Sequence, residues 1–384
     1  MALPRRRDRV PSTPVSLRGP LRRAGAVLVA LALASSTPRA RADDARPEPY
    51  FYKGLDYGSQ ALYGPLYVYL NRGFDVLQLR PEGRDIRRIA YRQDFANVTY
   101  NLAHPVWAVE QTGGWWRLIR QEILPLSYTL ETARWGPNYF LHLIGGGQTF
   151  RALWEWYAAN DVPAPALFSM LTTVAAQLTN ETLENKGVDG PNTDALADFY
   201  VFDIGGIALF SLPAVARFFS RTVVVADWSL QPTFRLPEGE IHNQGNYYAM
   251  RWALPFYERL RLFGYFGFSN MGGLSFRVRD GYSVTLAGGG KIDAFYNAGI
   301  NKVENVIRNA PAGAIFVDRN ESLLASLEVA DVAEYFLHLN VYPGALEKVN
   351  PGVGGFLVVS RDGRFIGGLC LRRPFGVGIS GGNL

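Results

Sequence analysis

Six polar side chains stand inside otherwise apolar segments of this 384-residue chain: Asn138 and His142, then Glu181 and Glu184, then Asp198 and Asp203. Such groups are seldom buried without partners. Asn138 and His142 are four apart, so on a helix they share a face, where a histidine can act as a general base or a metal ligand. The structural reading of the same residue is a core histidine bonded to a carbonyl, and that reading fits His104, His242 and His338 better, since they have no such company. Glu181 and Glu184, three apart near the end of an apolar run, form a potential carboxylate pair for holding a cation or for acid/base work. Glu184 also belongs to Glu184-Asn185-Lys186-Gly187, which reads as a solvated helix C-terminus. Asp198 and Asp203 need partners in their apolar surroundings, whereas Asp194, after Asn192-Thr193, is explained by helix capping. The candidates for catalysis are therefore His142, Glu181, Asp198 and Asp203. Hard divalent cations would suit such carboxylates, but the residue pattern specifies neither metal nor cofactor.

The elements that must position these residues are helices. From about residue 96 to 220 the apolar runs Phe140 to Ala159, Ala164 to Glu184 and Thr193 to Leu212 exceed strand length, and they are broken at Pro125, Gly136-Pro137, Pro163 to Pro165, Gly187 to Pro191 and Pro213. A bundle of about five helices is expected. Gly145 to Gly147 and Gly205-Gly206 would let two of these helices approach closely. Before the bundle, residues 43 to 95 are rich in Pro, Tyr, Gly and Arg, with short apolar pieces such as Leu66 to Leu70 and no sustained period, and read as an irregular arm or a strand or two.

After about residue 222 the texture changes to short segments of alternating polarity separated by Gly, Asn, Asp and Pro, the mark of an antiparallel sheet. Phe356 to Leu371 reads as a hairpin around Asp362-Gly363, and Gly288-Gly289-Gly290 as a bend or turn. Arg259, Arg261, Arg277 and Arg279 recur at period two, so each pair shares one face, either a polar lumen or a solvent surface. The fold class is α+β, a helical bundle followed by an antiparallel sheet or a small β-barrel of about eight strands. Residues 222 to 384 form the β region.

Residues 1 to 42 read as a secretory signal: Arg22-Arg23, an apolar run from Ala24 to Ala34, and the small-x-small sequence Ala40-Arg41-Ala42. Their nine arginines and one aspartate account for eight of the positive charges, so the whole-chain net charge of +5 leaves −3 for the remainder. Nucleic-acid binding loses its support. The single cysteine, Cys370, excludes an intramolecular disulfide framework. No phosphate loop, nucleophile elbow, zinc helix or paired-cysteine site is present.

The order of Asn138, His142 and Gly146, then Glu181, then Asp198 followed seven residues on by Gly205-Gly206 resembles an uncharacterised family of secreted bacterial envelope proteins, a domain of unknown function. A looser similarity reaches VanZ-like and YfiM-like membrane proteins. The chain departs from the pattern at Leu143, where the family has proline, and in Ile207 to Leu212, which lacks its closing Gly-Glu. The resemblance implies a helical module behind a signal peptide, joined to a β-rich region, in a Gram-negative envelope. The expected protein is thus an exported envelope protein, periplasmic or associated with the outer membrane and its lipid, in which the His/Glu/Asp cluster is structural. The alternative is a metal-dependent or acid/base hydrolase of lipid or cell-wall material.

Overall fold

The computed structural model describes residues 49–79, 84–125, 136–185, 189–279, 281–298, 304–346, 352–373 and 375–384. The expected signal segment lies outside the described residues.

The arm is helical at its centre. Pro65 opens α1 (Pro65–Gly73), where its fixed φ and missing N–H suit the first turn, and 3-10 turns flank it at Ser59–Ala61 and Asp75–Leu79. The expectation of an irregular arm or a strand or two is therefore corrected at Leu66 to Leu70: the inward positions Tyr67, Val68 and Leu70 follow a helical spacing, and Tyr67 packs in the main core. The helical module begins earlier than expected, with α2 (Tyr91–Ala103) and α3 (Pro105–Gln111). A π-helical segment, Gly136–Gly146, runs into α4 (Gly147–Ala159), and α5 (Pro165–Asn185) follows. A second π-helical segment, Ala197–Asp203, runs into α6 (Ile204–Ser211). Leu212, extended at φ −79° and ψ 121° because Pro213 follows, ends α6. The pair Asp194–Ser211 and Pro213–Thr222 is consequently bent by 89°, and among the described residues no single helix is long and apolar enough to cross a membrane.

The β region is one sheet. Its strands among the described residues are β1 (Ala226–Asp227), β2 (Thr233–Arg235), β3 (Glu240–His242), β4 (Tyr248–Leu254), β5 (Tyr257–Phe266), β6 (Ser269–Arg279) and β7 (Tyr282–Ala298). They continue with β8 (Glu304–Arg319), β9 (Ser322–Ala330), β10 (Leu337–Val341), β11 (Val353–Val359), β12 (Phe365–Leu371) and β13 (Gly378–Gly382). The order is β1-β4-β5-β6-β7-β8-β9-β10-β11-β12-β13-β2-β3, antiparallel throughout except for β13 beside β2. The α+β class stands. The sheet is larger than the eight strands expected of a small barrel, and its ladder ends at β1 and β3. The expected β11–β12 hairpin forms, with Gly363 at φ +84° in its turn. Gly288-Gly289-Gly290 is not a turn but the middle of β7, where a Cβ on Gly289 would come 2.2 Å from the Asn270 carbonyl oxygen of β6. Close strand approach explains that glycine.

The two faces of the sheet differ in kind. One is buried and carries ion pairs: Arg251 to Asp318 at 2.9 Å under the Trp228 ring, and Lys291 to Glu328 at 2.9 Å with Ser269 donating to the same carboxylate. The other is apolar and exposed. Cross-strand partners form an unbroken row on it: Trp252, Leu262, Leu274, Leu286, Ile315, Leu327, Leu339 and Leu357. The first six are between 36% and 62% exposed. A monomer in water buries such a row.

The main core joins helices to sheet, with Tyr63, Tyr67, Leu153 and Phe210 against Trp228, Tyr248, Phe263 and Phe316. A second core, built on Val98, Val109, Leu196 and Phe202, lies within the helical module.

Candidate functional site

Two of the π-helical segments, Gly136–Gly146 and Ala197–Asp203, carry three of the four expected site residues. An extra residue per turn re-aims side chains, and such segments recur at sites where geometry is demanding. His142 comes from Gly136–Gly146, and Asp198 and Asp203 from Ala197–Asp203. Glycines bring the two together: a Cβ on Gly206 would lie 2.4 Å from the Leu143 carbonyl oxygen, and one on Gly147 would lie 2.7 Å from the Gly206 carbonyl oxygen. The backbone contact is possible only without side chains at these positions.

His142 sits between the two aspartates, its Nε2 3.7 Å from Asp198 Oδ2 and its Nδ1 3.6 Å from Asp203 Oδ1. Both distances are ion-pair range rather than hydrogen bonds. Arg72 of α1 donates from Nη2 to Asp203 Oδ1 at 2.8 Å and to Gln177 Oε1 at 3.3 Å. Gln177 in turn donates to Glu181 Oε1 at 2.7 Å, both residues being on α5. The side chains of Arg72 and Asp203 are each 4% exposed, that of Asp198 7% and that of His142 13%. His142 Nδ1, Asp198 Oδ1 and Asp203 Oδ2 are buried and have no hydrogen-bond partner among the described residues.

Carboxyl groups outnumber cations here. Burial, then the charges of Glu184, Asp194 and Asp203, push Glu181 well above the usual carboxylate range. Burial, then Asp194, Glu181, Glu184 and Asp203, do the same to Asp198. Both therefore keep a proton at pH values where an exposed carboxyl has lost it. For Arg72 the order is burial, which lowers its pKa, and then Asp203, which raises it, with a raised value as the outcome.

The structure thus gathers His142, Glu181, Asp198 and Asp203 around Arg72 and Gln177. Asn138 does not join them: its amide donates to the Glu122 carbonyl at 2.8 Å. Glu184 is half-buried and acts on Glu181 and Asp198 through its charge, so it is not a solvated cap alone. At the start of its helix Asp194 N–H donates to Asn192 Oδ1 at 3.0 Å. Arg72 was not foreseen, although a lone arginine following the apolar Leu66 to Leu70 was a visible signal. Gln177 carried no such signal. Of the remaining histidines, His338 lies 2.7 Å from Asn243 Oδ1, and His104 lies 2.9 Å from the Tyr100 carbonyl.

Chemically, the arrangement supplies an imidazole between two carboxyl groups: burial raises the pKa of one, Asp198, and the guanidinium of Arg72 holds the other, Asp203. That suits proton transfer or a closed polar network. Among the described residues no group of three or more His, Cys, Asp or Glu side chains is arranged to hold a metal ion.

Comparison of the chain with protein-family models, with curated proteins and with solved structures finds no match.

Proposed function

We propose that the chain is an exported envelope protein whose sheet closes into a barrel in the outer membrane, and that the His142, Glu181, Asp198 and Asp203 cluster fixes how its helical module packs. The observation that carries this reading is the exposed apolar row from Trp252 to Leu357, set against a buried face holding Arg251, Asp318, Lys291 and Glu328. An exposed apolar outer face over an inner face that carries buried ion pairs beside its aromatic core fits a lipid-embedded barrel. A second row, Phe276, Val284, Val317, Ala325, Val341, Gly355, Leu369 and Ile379, runs parallel to the first.

Closure is supported by the two ends of the ladder. β1 and β2 are separated by Trp228 to Pro232, and β3 and β4 by Asn243 to Tyr247. Between them Trp228 N–H donates to the Tyr247 carbonyl at 2.9 Å and Leu230 N–H to the Gly245 carbonyl at 3.0 Å. The first and last strands of the ladder are therefore parts of one interrupted hairpin. A membrane barrel has no use for an open edge.

The arm crosses the buried face. Ser59 and Gln60 hydrogen-bond with Leu323 and Ser322 near one end of the strands, while Gln78 accepts from the Tyr247 hydroxyl near the other. Such a segment fills a lumen, so a plugged barrel fits better than an open pore. The structural role of the polar cluster rests on the Arg72–Asp203 pair, which ties the arm to the helical module.

The test is fractionation of the full chain expressed in a Gram-negative host. Recovery in outer membranes that resist urea extraction, with band mobility in detergent gels that changes on boiling, is expected. Recovery in the soluble periplasmic fraction overturns the barrel.

An acid/base hydrolase of lipid or cell-wall material is the second reading, favoured by the unpartnered buried atoms His142 Nδ1, Asp198 Oδ1 and Asp203 Oδ2. Perturbed carboxyls of this kind cluster at working sites. Turnover of lipid or peptidoglycan that is lost in His142→Ala without loss of stability would establish it.

A further inference from the structure

We infer that the arginine-lined end of the sheet's buried face is a binding site for a phosphate-bearing anion, built from Arg259, Arg261 and Arg277 with Ser275 and Thr285 at its floor. The face is fixed by register. Arg251 is the cross-strand partner of Phe263, which is buried in the main core, so Arg259 and Arg261, four and two residues before Phe263 on β5, share that face. Arg261 pairs across to Ser275, Ser275 pairs on to Thr285, and Arg277 pairs with Ser283.

The charges at this end do not cancel. Asp318 is engaged by Arg251, and Glu321 is shared between Lys53 of the arm and Arg261, the latter at 3.7 Å. Among the described residues Arg259 and Arg277 have no ion-pair or hydrogen-bond partner, and both are exposed at the strand ends. The guanidiniums also sense one another: burial first, then Arg277 and Arg251, pull the Arg261 pKa down, with Glu321 and Asp318 acting the other way. Unrelieved repulsion of this kind is what a bound anion removes.

The second observation is at the floor. Ser275 is 1% and Thr285 0% exposed, and neither Ser275 Oγ nor Thr285 Oγ1 has a hydrogen-bond partner among the described residues. Two adjacent buried hydroxyls left without acceptors, next to Arg261, match a group with several acceptor oxygens. Planar guanidiniums bind phosphate through paired N–H donors, which compact ammoniums do not. The chemistry is that of a phosphate monoester or diester, free or as a lipid headgroup. This holds whether the face lines a lumen or the concavity of an open sheet.

The experiment is calorimetric titration of the purified full chain with inorganic phosphate, and in parallel with nanodiscs of phosphatidylcholine alone or doped with phosphatidic acid. The variants are Arg259→Gln with Arg277→Gln, and Ser275→Ala. Binding to either phosphate source, weakened at least tenfold in the arginine pair and several-fold in Ser275→Ala with the melting temperature unchanged, supports the site. Binding of free phosphate identifies a soluble ligand, and binding only of the doped nanodiscs identifies a headgroup. No binding to either source, or equal binding by wild type and both variants, overturns it. Because Arg259 and Arg277 are exposed, their loss leaves the fold intact and the outcome readable.

Discussion

Arg72 and Asp203 meet at 2.8 Å, each with a side chain 4% exposed, and this pair joins the arm before the helical module to the π-helical segment Ala197–Asp203 within it. A carboxylate left in that setting without its guanidinium has almost no water to fall back on. Breaking a buried pair by removing one partner costs about 3–5 kcal/mol, whereas replacing both partners by apolar groups costs far less. Arg72→Met is therefore expected to lose that much in urea unfolding, and Arg72→Met with Asp203→Leu to recover most of it. Additive losses in the double variant would mean that the two residues act separately.

Gly205 and Gly206 are neighbours with different expected responses to alanine. In a helix the change gains up to about 1 kcal/mol from reduced backbone freedom. At Gly206 the new Cβ meets the Leu143 carbonyl oxygen at 2.4 Å, which only a backbone shift relieves, while at Gly205 it meets the movable Leu143 Cδ1 at 3.3 Å. Gly206→Ala is expected to destabilise by about 1–3 kcal/mol and Gly205→Ala to be close to neutral. Thermal melts of the two variants side by side decide it.

Stability should carry a pH signature from Asp75. Burial lifts its carboxyl from 3.8 to about 7, against the lowering effects of Arg72 and of the hydrogen bond from Asn180. The folded protein then holds a proton that the unfolded chain releases between those values. Its contribution is complete below pH 3.8 and is lost as pH rises to about 7. Relative to wild type, Asp75→Asn is expected to gain on the order of 2–4 kcal/mol across that window and to show a constant difference above it. A difference that does not vary with pH would show that Asp75 is ionised in the folded state.

His338 should act in the opposite sense. Burial, and then Lys291, depress its pKa from 6.5 to about 3, while Glu328 pulls the other way. The unfolded chain takes up a proton there first, so stability from this group is present above pH 6.5 and is lost as pH falls towards 3. His338→Gln is expected to flatten the acid limb of the stability profile measured by urea unfolding. An unchanged acid limb would assign it to other groups.

The apolar row gives a test of what surrounds the sheet. If Leu286, 62% exposed, faces lipid near the bilayer centre, Leu286→Arg costs about 2–4 kcal/mol in lipid vesicles, and Leu286→Ala much less. A neutral effect of Leu286→Arg on both insertion and stability would place that face in water.

Much of the site was legible because a polar residue in an apolar run is costly wherever the run folds. That argument needs no partner to be named, and it led to His142, Glu181, Asp198 and Asp203, which the structure gathers into one cluster. The glycines at 145 to 147 and 205 to 206 were legible for a related reason, since the lack of a side chain permits contact but does not choose it. Arg72 escaped because its partner lies 131 residues away, and nothing local distinguishes a cation that will be buried from one that will not. Asn138 was misplaced because a helical period of 3.6 was assumed where the backbone adopts the wider π turn.

The sequence by itself determined the change from helical to alternating texture near residue 222, the α+β class, and the polar residues that had to find partners. These follow from local periodicity and from the cost of desolvating charge, which act along the chain. Only the tertiary structure decided that the arm forms a helix, that β7 runs straight through three glycines, and that the strands present leucines outward over a face of ion pairs. Each depends on which segments meet, and a strand's alternation marks two faces without saying which one is buried.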